Sequence, residues 1–147
     1  MLNGKYIIGI DGKSGVGKSS LSKYLKEKYK NVKVVHLDAF RCYSEKDFVN
    51  IAKGEDGIKN FLDKYYNQEK IKKEIESSDE DIIILEGCFL KKLGFGIDLY
   101  KKIEEYKNHN NDMLLKIKSK NKKLTNDETN AYLEVWDSIW KFYEESI

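Results

Sequence analysis

The residues best suited to chemistry in this sequence form a glycine-rich run near its start. Residues 12–19 read Gly-Lys-Ser-Gly-Val-Gly-Lys-Ser and match G-x-x-x-x-G-K-[ST] at every fixed position. Glycines let successive backbone N–H groups converge on a phosphate, and a helix that begins there adds the positive end of its dipole. The run therefore predicts a nucleoside triphosphate site, formed by Gly12, Lys13, Ser14, Gly15, Val16, Gly17, Lys18, Ser19 and Ser20.

Three side chains around this run have more specific predicted roles. Lys18 would reach the β- and γ-phosphates, and the Ser19 hydroxyl would bind Mg²⁺. Glu86 follows the apolar residues 82–85, and a carboxylate at the end of a buried strand is placed to hold the same metal ion. The alternative for Glu86 is an ordinary surface carboxylate at a strand end.

The segment 36–41 supplies a second carboxylate and the only arginine of the chain. If the second and third strands flank the first, Asp38 opens on the phosphate cleft, where it could orient a hydroxyl or accept its proton. Its alternative role is a helix N-cap. The planar guanidinium group of Arg41 suits bidentate contact with phosphate or substrate hydroxyls. Together with the roles given above, this makes Lys18, Asp38 and Arg41 the predicted catalytic residues. Asp11 would support the loop or contact water near the metal, and His36 is predicted to be buried.

Short apolar runs alternate with helical patterns, as in α/β proteins. Strands are predicted at residues 5–10, 32–37 and 81–86, and helices after the glycine-rich run, around residues 58–65 and around residues 71–75. A continuous apolar run such as that of the third strand is typical of a parallel sheet buried on both faces. The predicted fold is therefore α/β, with a small, mostly parallel sheet and helices on both faces.

The pattern weakens after residue 93. Residues 97–106 are predicted to be helical, and residues 113–118 fit a short strand or a helical turn. Thr125 and Glu128 make a capping box, and the apolar spacing that follows predicts a helix whose tryptophans lie in the core. We expect one domain over residues 1–147, with a nucleotide-binding core at 1–93 and a lid-like and helical part at 94–147.

Composition excludes several classes of protein. A hydrophobic content of 40% is typical of a globular chain and not of a disordered one. The 27 basic and 25 acidic residues leave a net charge of +2, which favours no nucleic-acid partner. No apolar run approaches the ~20 residues of a membrane span, and no signal-peptide layout is present, so we expect a cytoplasmic protein without membrane partners. Cys42 and Cys88 are expected to be reduced thiols.

Three segments together resemble the uridine kinase-like group of P-loop nucleoside kinases: IIGIDGKSGVGKSS at 7–20, VVHLDAFR at 34–41 and IIILEGCFL at 82–90. The resemblance covers about residues 5–93. It implies a three-layer P-loop NTPase fold, ATP and Mg²⁺ as cofactors, and transfer of the γ-phosphoryl group to a hydroxyl of a nucleoside-like small molecule. It also implies that Asp38 activates or orients that hydroxyl, that Glu86 serves the metal, and that the acceptor pocket is lined by Phe40, Arg41 and Tyr43.

The C-terminal part departs from that group of kinases. They carry an arginine-bearing lid, whereas here only lysines are available, at Lys116, Lys118, Lys120, Lys122 and Lys123. The ten lysines of residues 91–123 either face phosphates or form a solvated surface. Two rival functions stay open. One is a nucleotide-binding module that orders residues 91–123 for a partner protein, and the other is a nucleoside-monophosphate or coenzyme-precursor kinase, against which the scarcity of arginine counts.

Overall fold

The computed structural model describes residues 2–13, 15–43, 55–105, 112–113, 115 and 126–145. The chain divides into two compact units, which we call the sheet unit (residues 1–42 and 66–105) and the helical unit (residues 43–65 and 106–147). The elements in chain order are β1 (Tyr6–Gly12), α1 (Lys18–Lys28), β2 (Val32–His36), α2 (Glu55–Asp63), α3 (Gln68–Glu76), β3 (Ile82–Gly87), β4 (Leu99–Ile103) and α4 (Asn126–Glu145). Short 3₁₀ turns follow β2 (Leu37–Phe40) and β3 (Leu90–Lys92).

The sheet is parallel throughout, in the order β2-β3-β1-β4. This confirms the predicted α/β fold. The arrangement on which the predicted placement of Asp38 depends, in which the second and third strands flank the first, is not the one observed. The neighbours of β1 are β3 and β4, and β2 pairs with the far side of β3. The central places go to the two most apolar strands, because a central strand of such a sheet is covered on both faces.

β4 occupies residues that the sequence predicts to be helical. The spacing of apolar residues over 97–106 fits a helix, yet Leu99–Ile103 pair in parallel with residues 8–12 of β1. The open edge of β1 offers a complete row of backbone partners, and this tertiary pairing outweighs the local pattern. The strand is an edge strand, and Leu99 and Lys101 are exposed.

Helices cover both faces of the sheet, as predicted. On one face Ile10, Val32 and Ile84 are buried together, and Leu21 and Leu25 of α1 pack against them. On the opposite face Lys33 forms an ion pair with Glu74 of α3, with 3.0 Å between Nζ and Oε1. The same face carries Gly9, where a Cβ atom would lie 2.9 Å from Leu90. Since Gly9 has no side chain, the segment after β3 can pack directly on β1.

The helical unit buries three aromatic residues of α4. Trp136, Trp140 and Tyr143 are buried, and Trp140 makes edge-to-face contacts with the other two rings. This confirms that the tryptophans are core residues. In α2 the buried side chains include Phe61 and Leu62, as the helical spacing predicts.

Other predictions for the C-terminal part fall outside the described residues. Residues 112, 113 and 115 are helical, which favours the helical alternative for their segment, whereas Thr125 and the side chain of Glu128 are not described. Among the described residues no helix is both long enough and apolar enough to span a membrane.

Candidate phosphate-binding site

The glycine-rich run forms the connection between β1 and α1. Gly12, Gly15 and Gly17 have φ angles of +151°, +79° and +107°, which L side chains rarely adopt. Gly12 also lies so close to β4 that a Cβ atom there would be 2.8 Å from the carbonyl oxygen of Ile103. The glycines therefore let the backbone turn, as predicted; Ser14 lies outside the described residues.

The N-terminus of α1 is suited to an anion. Gly17 is the N-cap residue, and its carbonyl oxygen accepts the first helical hydrogen bond, from Leu21 at 3.1 Å. The first turn contains no acidic side chain, so the positive end of the helix dipole is not neutralised by one. Ser19 and Ser20 are exposed in this turn, and their hydroxyls are accessible to a ligand.

Lys18 is buried and reaches back across the loop. Its Nζ donates to the carbonyl oxygens of Gly12 at 2.8 Å and Lys13 at 2.7 Å, and lies 3.8 Å from Cys88 Sγ. The ammonium group is thus held inside the loop on neutral acceptors. An incoming phosphate oxygen is a stronger acceptor for a cation, so Lys18 can exchange one set of partners for the other.

A short hydrogen-bond chain holds the start of the loop to β4. Asp11 is fully buried; its Oδ1 accepts from the Gly12 N–H at 2.8 Å, and its Oδ2 accepts from the Tyr100 hydroxyl at 2.6 Å. Lys13 forms a second link, an ion pair with Glu105 just after β4. Of the two roles left open for Asp11, the structure therefore shows support of the loop. Sequence reasoning missed Tyr100 because its segment carried a helical pattern.

Four charged residues act on the buried thiol of Cys88. Burial raises the pKa of this thiol to about 12. The negative charges of Asp38, Asp11 and Glu86 act in the same direction, and the positive charge of Lys18 opposes them. The thiol is therefore protonated at neutral pH, and the Lys18 ammonium contacts it, with 3.8 Å between Nζ and Sγ.

Glu86 is a buried carboxylate and not a surface one. It is the last residue but one of β3, its side chain is 9% exposed, and its Oε2 lies 2.7 Å from Nδ1 of His36. The two residues are register partners on adjacent strands. The prediction that His36 is buried is wrong, because β2 ends at this residue and its side chain is 59% exposed.

The residues predicted to contact an acceptor divide between the two units. Asp38 lies exposed in the 3₁₀ turn after β2, and its carbonyl oxygen accepts from Arg41 Nε at 3.3 Å. His36 is the N-cap residue of this turn, so Asp38 does not fill that position. Phe40 is half-buried beside them in the sheet unit. Tyr43 belongs to the helical unit, where its ring stacks on Phe61 at 5.3 Å.

Tyr66 anchors the backbone at the end of β3. Its buried hydroxyl donates to the carbonyl oxygen of Cys88 at 2.6 Å and accepts from the Cys88 N–H at 3.0 Å. Both backbone groups lie just beyond the last registered pair of β1 and β3, which is Asp11 with Gly87. Tyr66 also forms an isolated antiparallel bridge with Arg41, so the backbone at position 66 is joined to the backbone at position 41.

The described residues fit a magnesium ion that arrives with a nucleotide. They contain no cluster of three or more His, Cys, Asp or Glu side chains arranged to hold a metal ion. Mg²⁺ does not need such a cluster, because it keeps several waters and uses one or two protein oxygens together with phosphate oxygens. The exposed hydroxyl of Ser19 and the buried carboxylate of Glu86 are groups of that kind. The lysines from 116 to 123 lie outside the described residues.

Comparisons with known proteins agree with this architecture. The model of the KAP family P-loop domain matches residues 2–133. Among solved structures, the chain is similar to a possible uridine kinase from Bacillus stearothermophilus, with a TM-score of 0.52 and 19% sequence identity, over 98% of this chain and 85% of that one. At this identity the similarity shows the fold alone. No curated protein matches the chain.

Proposed function

The chain belongs to the KAP family of P-loop domains, and on that premise we propose that it is an ATP-dependent kinase that transfers the γ-phosphoryl group to a hydroxyl of a nucleoside-like small molecule. The observation that carries the proposal is the loop between β1 and α1, where Lys18 Nζ lies on the carbonyl oxygens of Gly12 and Lys13 at 2.8 and 2.7 Å, next to the strand that ends in the buried Glu86. A phosphate-binding lysine, a carboxylate for a metal and a carboxylate for a hydroxyl are the parts that phosphoryl transfer uses.

The phosphate side of the site follows from the loop. Lys18 would leave the carbonyl oxygens of Gly12 and Lys13 for phosphate oxygens, and the N–H groups of the loop and of the first turn of α1 would bind the remaining charge. Ser19 and Glu86 would hold Mg²⁺. When bound, this ion neutralises part of the charge on the phosphates. Asp11 and Tyr100 keep the loop in place while its ligands change.

The acceptor side is assigned to Asp38, with Phe40 and Arg41 of the same unit as contacts, and the role of Tyr43 stays a prediction. Asp38 is exposed, so its carboxylate can accept a hydrogen bond from a substrate hydroxyl and orient it toward the γ-phosphate. The similar solved structure is that of a possible uridine kinase, and this supports a nucleoside-like acceptor. The lysines from 116 to 123 would serve as the lid. The same proposal includes a cytoplasmic location, with no nucleic-acid or membrane partner.

The test is ATP consumption over a panel of nucleosides, sugars and aminoglycoside-like alcohols, with products identified by mass spectrometry. Lys18→Ala should abolish turnover. Asp38→Asn should lower kcat by roughly 10²-fold or more, with ATP affinity near that of the wild type. Asp79→Asn, which changes another exposed carboxylate of the sheet unit, is the matched control and should be fully active. An Asp38→Asn enzyme as active as the wild type would contradict the role of Asp38.

A second function agrees equally with the family match over residues 2–133, because the description of that family names a P-loop domain and no acceptor. In this alternative, nucleotide binding orders residues 91–123 for a partner protein, and no small molecule is phosphorylated. Calorimetry would then show tight binding of ATP or GTP, and mass spectrometry would detect no product that depends on an acceptor. Detection of a phosphorylated small molecule excludes this alternative.

A further inference from the structure

His36 contacts the carboxylate that we assign to the metal ion. The distance from His36 Nδ1 to Glu86 Oε2 is 2.7 Å, a good length for a charge-assisted hydrogen bond. An ionised carboxylate only accepts, so Nδ1 donates. The bond engages one oxygen of Glu86 and leaves Oε1 as the oxygen that we assign to a metal ion.

The bond is not needed to join the two strands. β2 and β3 already pair over five registered positions, from Val32 with Ile82 to His36 with Glu86. The His36 side chain is 59% exposed, so it contributes little to the core, whereas the Glu86 side chain is 9% exposed. A buried carboxylate with three rotatable side-chain bonds is therefore held by a group that has no evident packing role.

Such a bond matters because of what magnesium requires. Mg²⁺ binds at 2.0–2.1 Å with nearly ideal octahedral geometry, so a carboxylate that must first be ordered binds it more weakly. Partners that orient a metal ligand typically change metal affinity about 10- to 100-fold when removed. An exposed partner such as His36 belongs at the low end of that range, because water can partly replace it.

We propose that His36 is a positioning residue, which holds the Glu86 carboxylate in the orientation that binds the Mg²⁺ accompanying the nucleotide. The inference rests on the proposed function, since that is where Glu86 is assigned to the metal. It adds a residue that acts through Glu86 and does not itself touch the substrate or the metal. It also predicts that the effect of His36 appears only when the divalent ion is present.

The experiment measures binding and needs no turnover. Full-length protein is titrated with a non-hydrolysable ATP analogue in a calorimeter, first in EDTA and then over a series of Mg²⁺ concentrations. The variants are His36→Ala, His36→Asn and Glu86→Gln. Asparagine is the matched control, because its side-chain N–H₂ can donate from nearly the position of Nδ1.

For His36→Ala we expect the Mg²⁺ concentration at half-maximal enhancement of analogue binding to rise about tenfold. Affinity in EDTA should change by less than about twofold, because the loop that binds the phosphates is untouched. His36→Asn should restore most of the Mg²⁺ response. These three results together support the positioning role.

Three results would overturn it, and they separate it from the proposed function. If Glu86→Gln shifts the Mg²⁺ response and His36→Ala does not, the positioning role is wrong and the metal assignment of Glu86 stands. If neither variant shifts it, the metal assignment fails and the inference fails with it. If His36→Ala weakens binding equally with and without Mg²⁺, His36 supports the site as a whole, and the metal-specific role is wrong.

Discussion

Removal of one hydroxyl from β4 should disturb the phosphate-binding loop. In Tyr100→Phe the carboxylate of Asp11 loses the hydrogen bond that Tyr100 donates to Oδ2 at 2.6 Å. The phenyl ring keeps the packing of the tyrosine ring, including its position under Lys91, whose Nζ lies 4.6 Å from the ring centroid. The change therefore isolates the hydroxyl and its bond to Asp11.

The expected loss of stability follows from the burial of Asp11. A hydrogen bond to a charged group contributes about 1.5–3 kcal/mol. Asp11 is fully buried, so solvent cannot readily take the place of the hydroxyl, and we expect the free energy of unfolding to fall by about 2 kcal/mol. The same carboxylate orients the N–H of Gly12 at 2.8 Å, so ATP affinity should fall roughly 5- to 10-fold, or about 1–1.4 kcal/mol.

Urea unfolding at constant temperature measures the first quantity, and calorimetric titration with ATP and Mg²⁺ measures the second. Tyr29→Phe is the matched control, because this tyrosine is 52% exposed at the end of α1 and should lose its hydroxyl at little cost. A Tyr100→Phe protein within about 0.5 kcal/mol of the wild type would refute the stability argument. Lower stability with unchanged ATP affinity would refute the link between Asp11 and the loop.

Three further perturbations test other parts of the molecule. Tyr66→Phe removes the hydroxyl that bonds both the N–H and the carbonyl of Cys88, and urea unfolding should show a loss of about 2–4 kcal/mol. Gly12→Ala should abolish ATP binding in calorimetry, because the new Cβ would lie 2.8 Å from the carbonyl oxygen of Ile103 and the backbone φ is +151°. Gly96→Ala is the control and should bind ATP normally, because a Cβ there meets no described atom within 4 Å. The backbone N–H of Ile7 in β1 donates to Asp98 Oδ2 at 2.7 Å and lowers the pKa of that carboxyl from its ordinary value. The stabilisation is therefore complete above the unfolded-state pKa of about 4 and is lost as the pH falls through the folded-state pKa. Thermal unfolding should therefore show Asp98→Asn less stable than wild type at neutral pH, with the difference shrinking below about pH 4.

The presence of a strand could be predicted where the run of apolar residues is strong, but the order of the strands in the sheet could not. The apolar runs that became β1, β2 and β3 are local features, and their positions agree with the structure to within two residues. β3 lies between β1 and β2, because the centre of the sheet is occupied by the strands that are apolar on both faces. Which strands take those positions depends on the whole sheet and not on any one segment. β4 was missed for the same reason, since Leu99–Ile103 become a strand through the edge of β1 and not through their own pattern.

What the sequence by itself determined is the phosphate-binding loop, because its requirements are local. Positive φ angles at Gly12, Gly15 and Gly17 and a helix that begins at Lys18 follow from neighbouring residue types. Only the tertiary structure decided what surrounds that loop. The bonds from Tyr100 to Asp11 and from His36 to Glu86 join residues 89 and 50 positions apart, and they exist because parallel strand pairing brings the carboxyl ends of distant strands together. Hydrogen bonds of this kind have no spacing signal in the chain, so the partners that hold the site could be found only in the folded molecule.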